Sequence, residues 1–149
     1  DMRAWYRSLG VTVAEFPIDE ATARAAADHG EAIVFGAPNV VRGGSHTGCP
    51  SAEAMVCAGL CSILASDYYY PALALAPFLL ARRGAASLAE AWALVSRAPA
   101  QALGLDDRGV IAPGKRADLV LVEEGPHPRI VATIAAGRLV HLADQRLLA

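Results

Sequence analysis

The chain has 149 residues, 54% hydrophobic and 19% charged, which is long enough to bury a core and too apolar for a disordered segment. Thirteen lysines and arginines stand against fifteen aspartates and glutamates, a net charge of −2, and the lack of a basic excess argues against a nucleic-acid partner. The most apolar stretch, Tyr68–Ala81, is interrupted by Pro71 and Pro77 and falls short of the ~20 residues of a spanning helix, which argues against a membrane partner.

The chain opens on an aspartate, in what reads as mid-helix over Asp1–Leu9 with no cap before it, so a piece of a longer protein is expected. Val11–Phe16 is a short apolar run with β-branched residues, stopped by Pro17, and reads as a buried strand. Asp19 is a good N-cap, Glu20 suits a first turn, and the alanine-rich run to His29 closes at Gly30. Ala32–Phe35 reads as the next strand, and Gly36–Pro50 as a long polar, glycine-rich loop. Ser51 can cap a helix ending at Gly59, and Leu60–Ala65 reads as a third strand with Ser66 and Asp67 at its end. This βαβ rhythm implies parallel strands.

Tyr70–Leu103 reads as helical. Ser87 and Glu90 have capping-box spacing, and Gly104 closes that zone. From Leu105 the character changes. Gly109–Ile111, Asp118–Glu123, Ile130–Ala135 and Arg138–Leu142 read as short strands, and Ala136-Gly137 as a hairpin turn. The expected organisation is α/β over residues 1–104 and a small β module over 105–149. Three parallel strands leave two bare edges, and the β module has too few strands to close a sandwich, so neither part looks complete. Such edges predict self-association, and a homo-oligomer is expected.

Ligands of parallel α/β folds gather at the carboxyl ends of the strands. Three polar features fall there: Glu15, the loop from Asn39 to His46, and Asp67. Two readings of Asp67 stand level. Its carboxylate can ligate a metal or take a proton from an attacking water, or it can close an Asx-turn or cap a helix. In the loop, Gly43 and Gly44 permit close backbone approach and an anion nest, while Asn39, Arg42, Ser45 and His46 add donors. A phosphate site fits this composition, and a loop of such length in a compact unit favours function over mere solvation. Glu15, close to Pro17, is either buried and paired or active.

The remaining polar and aromatic features read as structural. His29 is expected to partner a helix C-terminus, and His127 and His141 to lie on the surface. Tyr68-Tyr69-Tyr70 reads as packing or a pocket wall. Cys49, Cys57 and Cys61 are too few for a disulfide framework and form no C-x-x-C pair. They read as small core residues or loop thiols in a reducing, cytoplasmic setting, and no secretory leader is read.

Two stretches carry a family resemblance. Leu103–Val122, with Gly109-Val-Ile-Ala-Pro-Gly-Lys-Arg-Ala-Asp118-Leu-Val, resembles the C-terminal region of the metal-dependent amidohydrolases. Ala14-Glu-Phe-Pro17, Gly36-Ala-Pro-Asn-Val-Val-Arg-Gly-Gly-Ser-His46 and Ile63-Leu-Ala-Ser-Asp-Tyr68 are together similar to the diphosphatases of the carbon–phosphorus lyase pathway. That family hydrolyses α-D-ribose 1-methylphosphonate 5-triphosphate and releases pyrophosphate. Its usual Ser-His-Ser-Gly-Asn is Ser45-His-Thr-Gly-Cys49 here, and its Tyr-Val-Pro is Tyr68-Tyr-Tyr70.

The resemblance implies a partial (β/α)8 TIM barrel, its last three βα units, followed by C-terminal strands of a small β-sandwich domain. It implies a divalent metal, Zn, Mn or Mg, with Asp67 as ligand and proton acceptor and the other ligands outside this chain. The implied substrate is a small phosphorylated sugar, held by Asn39, Arg42, Gly43, Gly44, Ser45 and His46, and the chain alone is expected to be inactive. Two other readings remain: a different amidohydrolase, such as a deacetylase or deaminase, and a non-catalytic anion-binding α/β module.

Overall fold

Three short apolar runs pair as a parallel sheet in the order β1 (Val13–Glu15), β2 (Ala32–Gly36), β3 (Ile63–Ala65). The structure, a computed structural model, describes residues 2–45 and 48–143. Ala14 pairs with Ile33, and Phe35 with Leu64. Ile33, Val34 and Phe35 are all buried in the central strand, as expected where both faces of a parallel sheet are covered. Ser62 locks the entry to β3. Its Oγ accepts from the Ile33 N–H at 2.6 Å and donates to the Ile33 carbonyl at 3.2 Å.

Helices fill the connections. α1 (Met2–Ser8) precedes β1, and α2 (Glu20–Ala27) links β1 to β2. Asp19 caps α2 by accepting from the Thr22 N–H at 2.7 Å, and its buried face is Ala23 and Ala26, small enough for the helix to lie close on the sheet. Glu31, whose side chain is 8% exposed, receives Arg3 and Arg7 and so ties α1 to the start of β2. The segment expected to be one loop from Gly36 to Pro50 is corrected here: Ala37–Arg42 is a helix, α3, begun by Pro38 near its N-terminus and ended by Gly43 at φ +79°. Proline suits the first turn because its missing N–H has no partner to lose there. α4 (Ala52–Cys57), capped by Ser51, leads into β3.

α5 (Pro71–Arg82), α6 (Leu88–Ala93) and α7 (Arg97–Ala102) follow. α5 packs against α3 and α6 and buries Ala72, Ala76, Pro77, Phe78 and Leu80. The capping box at Ser87 and Glu90 forms as expected. The expectation of two bare sheet edges is also corrected. The Leu64 N–H of β3 donates to the Leu94 carbonyl at 2.9 Å, so the end of α6 covers that edge, while β1 is the open one among the described strands.

The C-terminal part is an antiparallel sheet, β4 (Leu119–Glu123), β5 (Arg129–Ala135) and β6 (Arg138–Leu142). Ala136 at φ +50° and Gly137 at φ +77° make the expected hairpin turn. Asp118 fastens that turn to the start of β4, accepting from the Ala136 N–H at 2.7 Å and from Arg116 at 2.9 Å. Gly109–Ile111, expected to be a strand, is not one. This segment instead lies against α7, close enough that a Cβ on Gly109 would stand 2.8 Å from the Ala100 Cβ. Arg82 at the end of α5 donates to the carbonyls of Gly125 and Pro126, a second tie between helices and sheet.

Candidate functional site

The site is built at the carboxyl end of the parallel sheet. β2 runs straight into α3, and β3 ends in a turn closed by the Tyr69 N–H donating to the Ser66 carbonyl at 2.9 Å. Asp67 occupies that turn at φ +50°, a left-handed conformation that Asp and Asn tolerate better than most residues. Its carboxylate takes no hydrogen bond from any described residue. The turn closes backbone to backbone, so the Asx-turn reading of Asp67 fails on this geometry.

Asp67 opens onto a cleft of about 310 Å³ lined also by Asn39, Arg42, Ser45, Cys49 and Tyr68. Phe16, Pro17, Ile18, Phe35, Pro38 and Pro50 form apolar walls. Gly36 lies where several of these side chains converge. A Cβ there would stand 3.4 Å from Phe16 Cε1, 3.5 Å from Asp67 Oδ2 and 3.6 Å from Asn39 Nδ2. Arg42 donates through Nη2 to Asn39 Oδ1 at 3.3 Å and lies 5.8 Å from the centre of the Tyr68 ring. Among the described residues Arg42 has no carboxylate partner, so its charge is available to a ligand. The described lining thus offers one cation, one carboxylate, an amide, two hydroxyls and a thiol against an apolar wall.

Of the expected site residues, Asn39, Arg42, Ser45 and Asp67 come together. Gly43 and Gly44 do not join them as an anion nest. The Gly43 N–H donates to the carbonyls of Asn39 and Val40, and the Gly44 N–H to Asn39. These bonds satisfy the last carbonyls of α3, the ordinary end of a helix closed by a left-handed glycine. Glu15 is exposed on β1, lines no part of the cleft and has no ion-pair partner among the described residues. His46 lies outside the described residues. Pattern alone did not single out the apolar wall. The signal that could have found it is the run Phe16-Pro17-Ile18 directly after a strand, where a parallel fold puts its ligands.

The other expectations sort cleanly. His29 Nδ1 lies 2.8 Å from the Ala25 carbonyl at the end of α2. His127 and His141 are exposed. Cys61 is buried, and burial pushes its thiol up to about 12. Cys49 and Cys57 are exposed. The three tyrosines after β3 are exposed rather than packed, Tyr68 at 62% and Tyr70 at 81%. A larger groove, about 1150 Å³, lies between the helices and the antiparallel sheet, among Phe78, Trp92, Val110, Ile111, Val120 and Ile134. Its charged lining, Arg97, Arg116 and Asp118, includes an Arg116–Asp118 ion pair, and it lacks the strand-end placement of the smaller cleft.

As a metal ligand, Asp67 is suitable but single. Its carboxylate is exposed and unengaged, and no group of three or more His, Cys, Asp or Glu able to hold a metal occurs among the described residues. No helix among them is long and apolar enough to cross a membrane.

Comparison with known proteins places the chain in a family. The chain is 50% identical over 115 residues to the alpha-D-ribose 1-methylphosphonate 5-triphosphate diphosphatase of Escherichia coli K12, covering 76% of this chain and 30% of that protein. It is 49% identical over 51 residues to the adenine deaminase of Gluconobacter oxydans, and 58% identical over 43 residues to that of Brucella suis. Those stretches cover 34% and 28% of this chain, and 9% and 7% of the deaminases. The chain therefore spans less than a third of the length of these relatives. No solved structure matches it. The amidohydrolase family profile matches residues 13–141, which takes in both sheets and the cleft between β1 and α5, and the chain belongs to the amidohydrolase family.

Proposed function

We propose that this chain carries part of the active site of a metal-dependent phosphohydrolase that releases pyrophosphate from α-D-ribose 1-methylphosphonate 5-triphosphate. In this reading residues 1–104 are the last three units of a (β/α)8 barrel and residues 105–149 are strands of a small β-sandwich domain. The observation that carries the proposal is the meeting in one cleft of a strand-end carboxylate, Asp67, and a cation, Arg42, neither with an ion-pair partner among the described residues. The 50% identity to a diphosphatase over three quarters of the chain supports the substrate class.

A divalent ion, when bound, polarises water and screens phosphate charge. The chain's own part is simpler. Asp67 offers a carboxylate oxygen as ligand and as acceptor of the attacking water's proton. Arg42, with Asn39 and Ser45, binds and orients phosphoryl oxygens through donors that keep their direction in the transition state. The walls from Phe16 to Ile18 and at Pro38 and Pro50 exclude bulk water from one side of the cleft, which strengthens each polar contact inside it. Cytoplasmic location and self-association through the open β1 edge belong to the same proposal.

The short matches to adenine deaminases favour a second reading, deamination of a purine. An arginine in the cleft with no carboxylate partner among the described residues favours an anionic substrate over a neutral base. The test is a chimera in which this chain replaces the matching 115-residue segment of the E. coli relative. Metal-dependent release of pyrophosphate from the ribose triphosphate is expected, with no ammonia from adenine. Ammonia release without pyrophosphate release would reverse the assignment.

A further inference from the structure

We infer that Tyr68 is a positioning residue: its ring holds the Arg42 guanidinium over the mouth of the cleft, in the pose that receives a phosphate chain. The inference rests on the anion-binding role proposed above and goes further by naming what aims the cation.

Arg42 is exposed at the end of a six-residue helix. Its side-chain hydrogen bond among the described residues, to Asn39 Oδ1, is 3.3 Å long, beyond the usual range for N–H···O and therefore weak. No carboxylate fixes it among the described residues. The Tyr68 ring does, with its centre 5.8 Å from the guanidinium carbon, within reach of a cation–π attraction. A guanidinium that rests on an aromatic face leaves its N–H edge free, so the ring and a phosphate do not compete for the same atoms. Tyr68 is 62% exposed, which is poor use of a large ring as packing and suits a platform at a cleft rim.

The turn that places this ring also places Asp67. A backbone hydrogen bond from the Tyr69 N–H to the Ser66 carbonyl closes residues 66–69, so the backbone that carries the carboxylate and the platform is one turn. The carboxylate and the ring that meets Arg42 are thereby sequence neighbours lining one cleft. This favours a ligand with several linked anionic groups, such as a diphosphate or triphosphate, over a single small anion.

The test is calorimetric titration of inorganic pyrophosphate, with inorganic phosphate as comparison, into the 149-residue chain and its Tyr68 variants. Tyr68→Leu is expected to weaken pyrophosphate binding about two- to fivefold, the range of an exposed cation–π contact. Tyr68→Phe and Tyr68→Trp keep a ring and are expected to bind as the parent does. In an Arg42→Ala background, Tyr68→Leu is expected to have no further effect. Circular dichroism of each variant checks that the fold is retained. Unchanged binding in Tyr68→Leu, equal loss in Tyr68→Phe, or an undiminished effect without Arg42 would each overturn the role of Tyr68 while leaving the anion site standing. Failure of the parent chain to bind pyrophosphate at all would overturn the anion site, and the inference with it.

Discussion

Asp67 and Asn39 converge on Gly36, so that a methyl group there would stand 3.5 Å from Asp67 Oδ2 and 3.6 Å from Asn39 Nδ2. These are ordinary van der Waals distances, and the Gly36 backbone at φ −79° and ψ 124° suits any residue. Gly36→Ala is therefore expected to leave stability unchanged or raise it by about 0.4–1 kcal/mol, through lost freedom of the unfolded chain. The added methyl also touches Asp67 and Asn39, both in the cleft lining, and pyrophosphate binding is expected to weaken. Thermal melting and calorimetry on one variant check both halves. A stable variant with undiminished binding would mean that ligand binding does not depend on the placement of Asp67 and Asn39.

Gly109→Ala is expected to behave in the opposite way. The backbone there is at φ +88°, and the added Cβ would meet the Ala100 Cβ at 2.8 Å and the Arg97 Cα at 3.1 Å. Backbone strain and overpacking add, for a loss of about 2–4 kcal/mol. A urea melt reads this directly. A loss under about 0.5 kcal/mol, the size of an ordinary surface change, would mean that the segment before β4 does not dock on α7.

The cysteines should separate by reactivity. A thiol-labelling reagent at pH 8 is expected to modify Cys49 and Cys57 in the native chain and all three in denaturant, since only Cys61 is buried. Burial raises the Cys61 thiol from 9.0 to about 12, and the consequence for stability has a definite sign. The contribution is fully present below the unfolded value near 9 and is lost as pH rises towards 12, because the unfolded chain ionises first. Chemical denaturation at pH 8 and pH 10.5 is expected to find the chain weaker at the higher pH, and a Cys61→Ala variant less sensitive to that change.

Asp118 gives the matching prediction in acid. The Ala136 N–H above all, and then Arg116 and Arg108, hold its carboxyl below the usual carboxylate range. A depressed carboxyl adds stability above its unfolded value, and that part is lost as pH falls through the folded value. Amide exchange at Ala136 is expected to rise below about pH 4 relative to the protected core once intrinsic rates are divided out, and Asp118→Asn is expected to raise it already at pH 7. Protection in the variant equal to that of the parent would remove Asp118 as the clasp of the β5–β6 turn.

The chain's pattern made its six described strands legible and put Asp67 at a strand end, though it also offered Gly109–Ile111, which lies against α7 at Gly109 instead of pairing. β2 is a continuous apolar run because it is buried on both faces, and Asp67 follows the last such run. The capping boundaries at Asp19, Ser51 and Ser87 were legible because each needs a short side chain at one position. Three features were not. α3 hides in a stretch whose glycines and polar groups suggest a loop, and six residues are too few for a helical period to stand out. Its formation uses up the Gly43 and Gly44 N–H groups, which is why an anion nest expected from composition does not form. The cover on the β3 edge is a contact between Leu64 and Leu94, thirty residues apart, and no local pattern encodes it. For Tyr68 packing and pocket wall stood open; it lines the cleft, while its exposure and its contact with Arg42 cannot be seen without the turn.

The central claim is that Asp67 is chemical and not a turn former, and one substitution separates these. Asparagine tolerates the left-handed backbone at Asp67, so Asp67→Asn keeps the turn while removing the charge and the proton acceptor. In the chimera carrying this chain, turnover of the ribose triphosphate is expected to fall by about 10²–10⁴-fold, with the melting temperature and the circular dichroism spectrum unchanged. Near-parental kcat in a folded Asp67→Asn chimera would contradict the account, since the strand-end carboxylate would then hold neither metal nor proton.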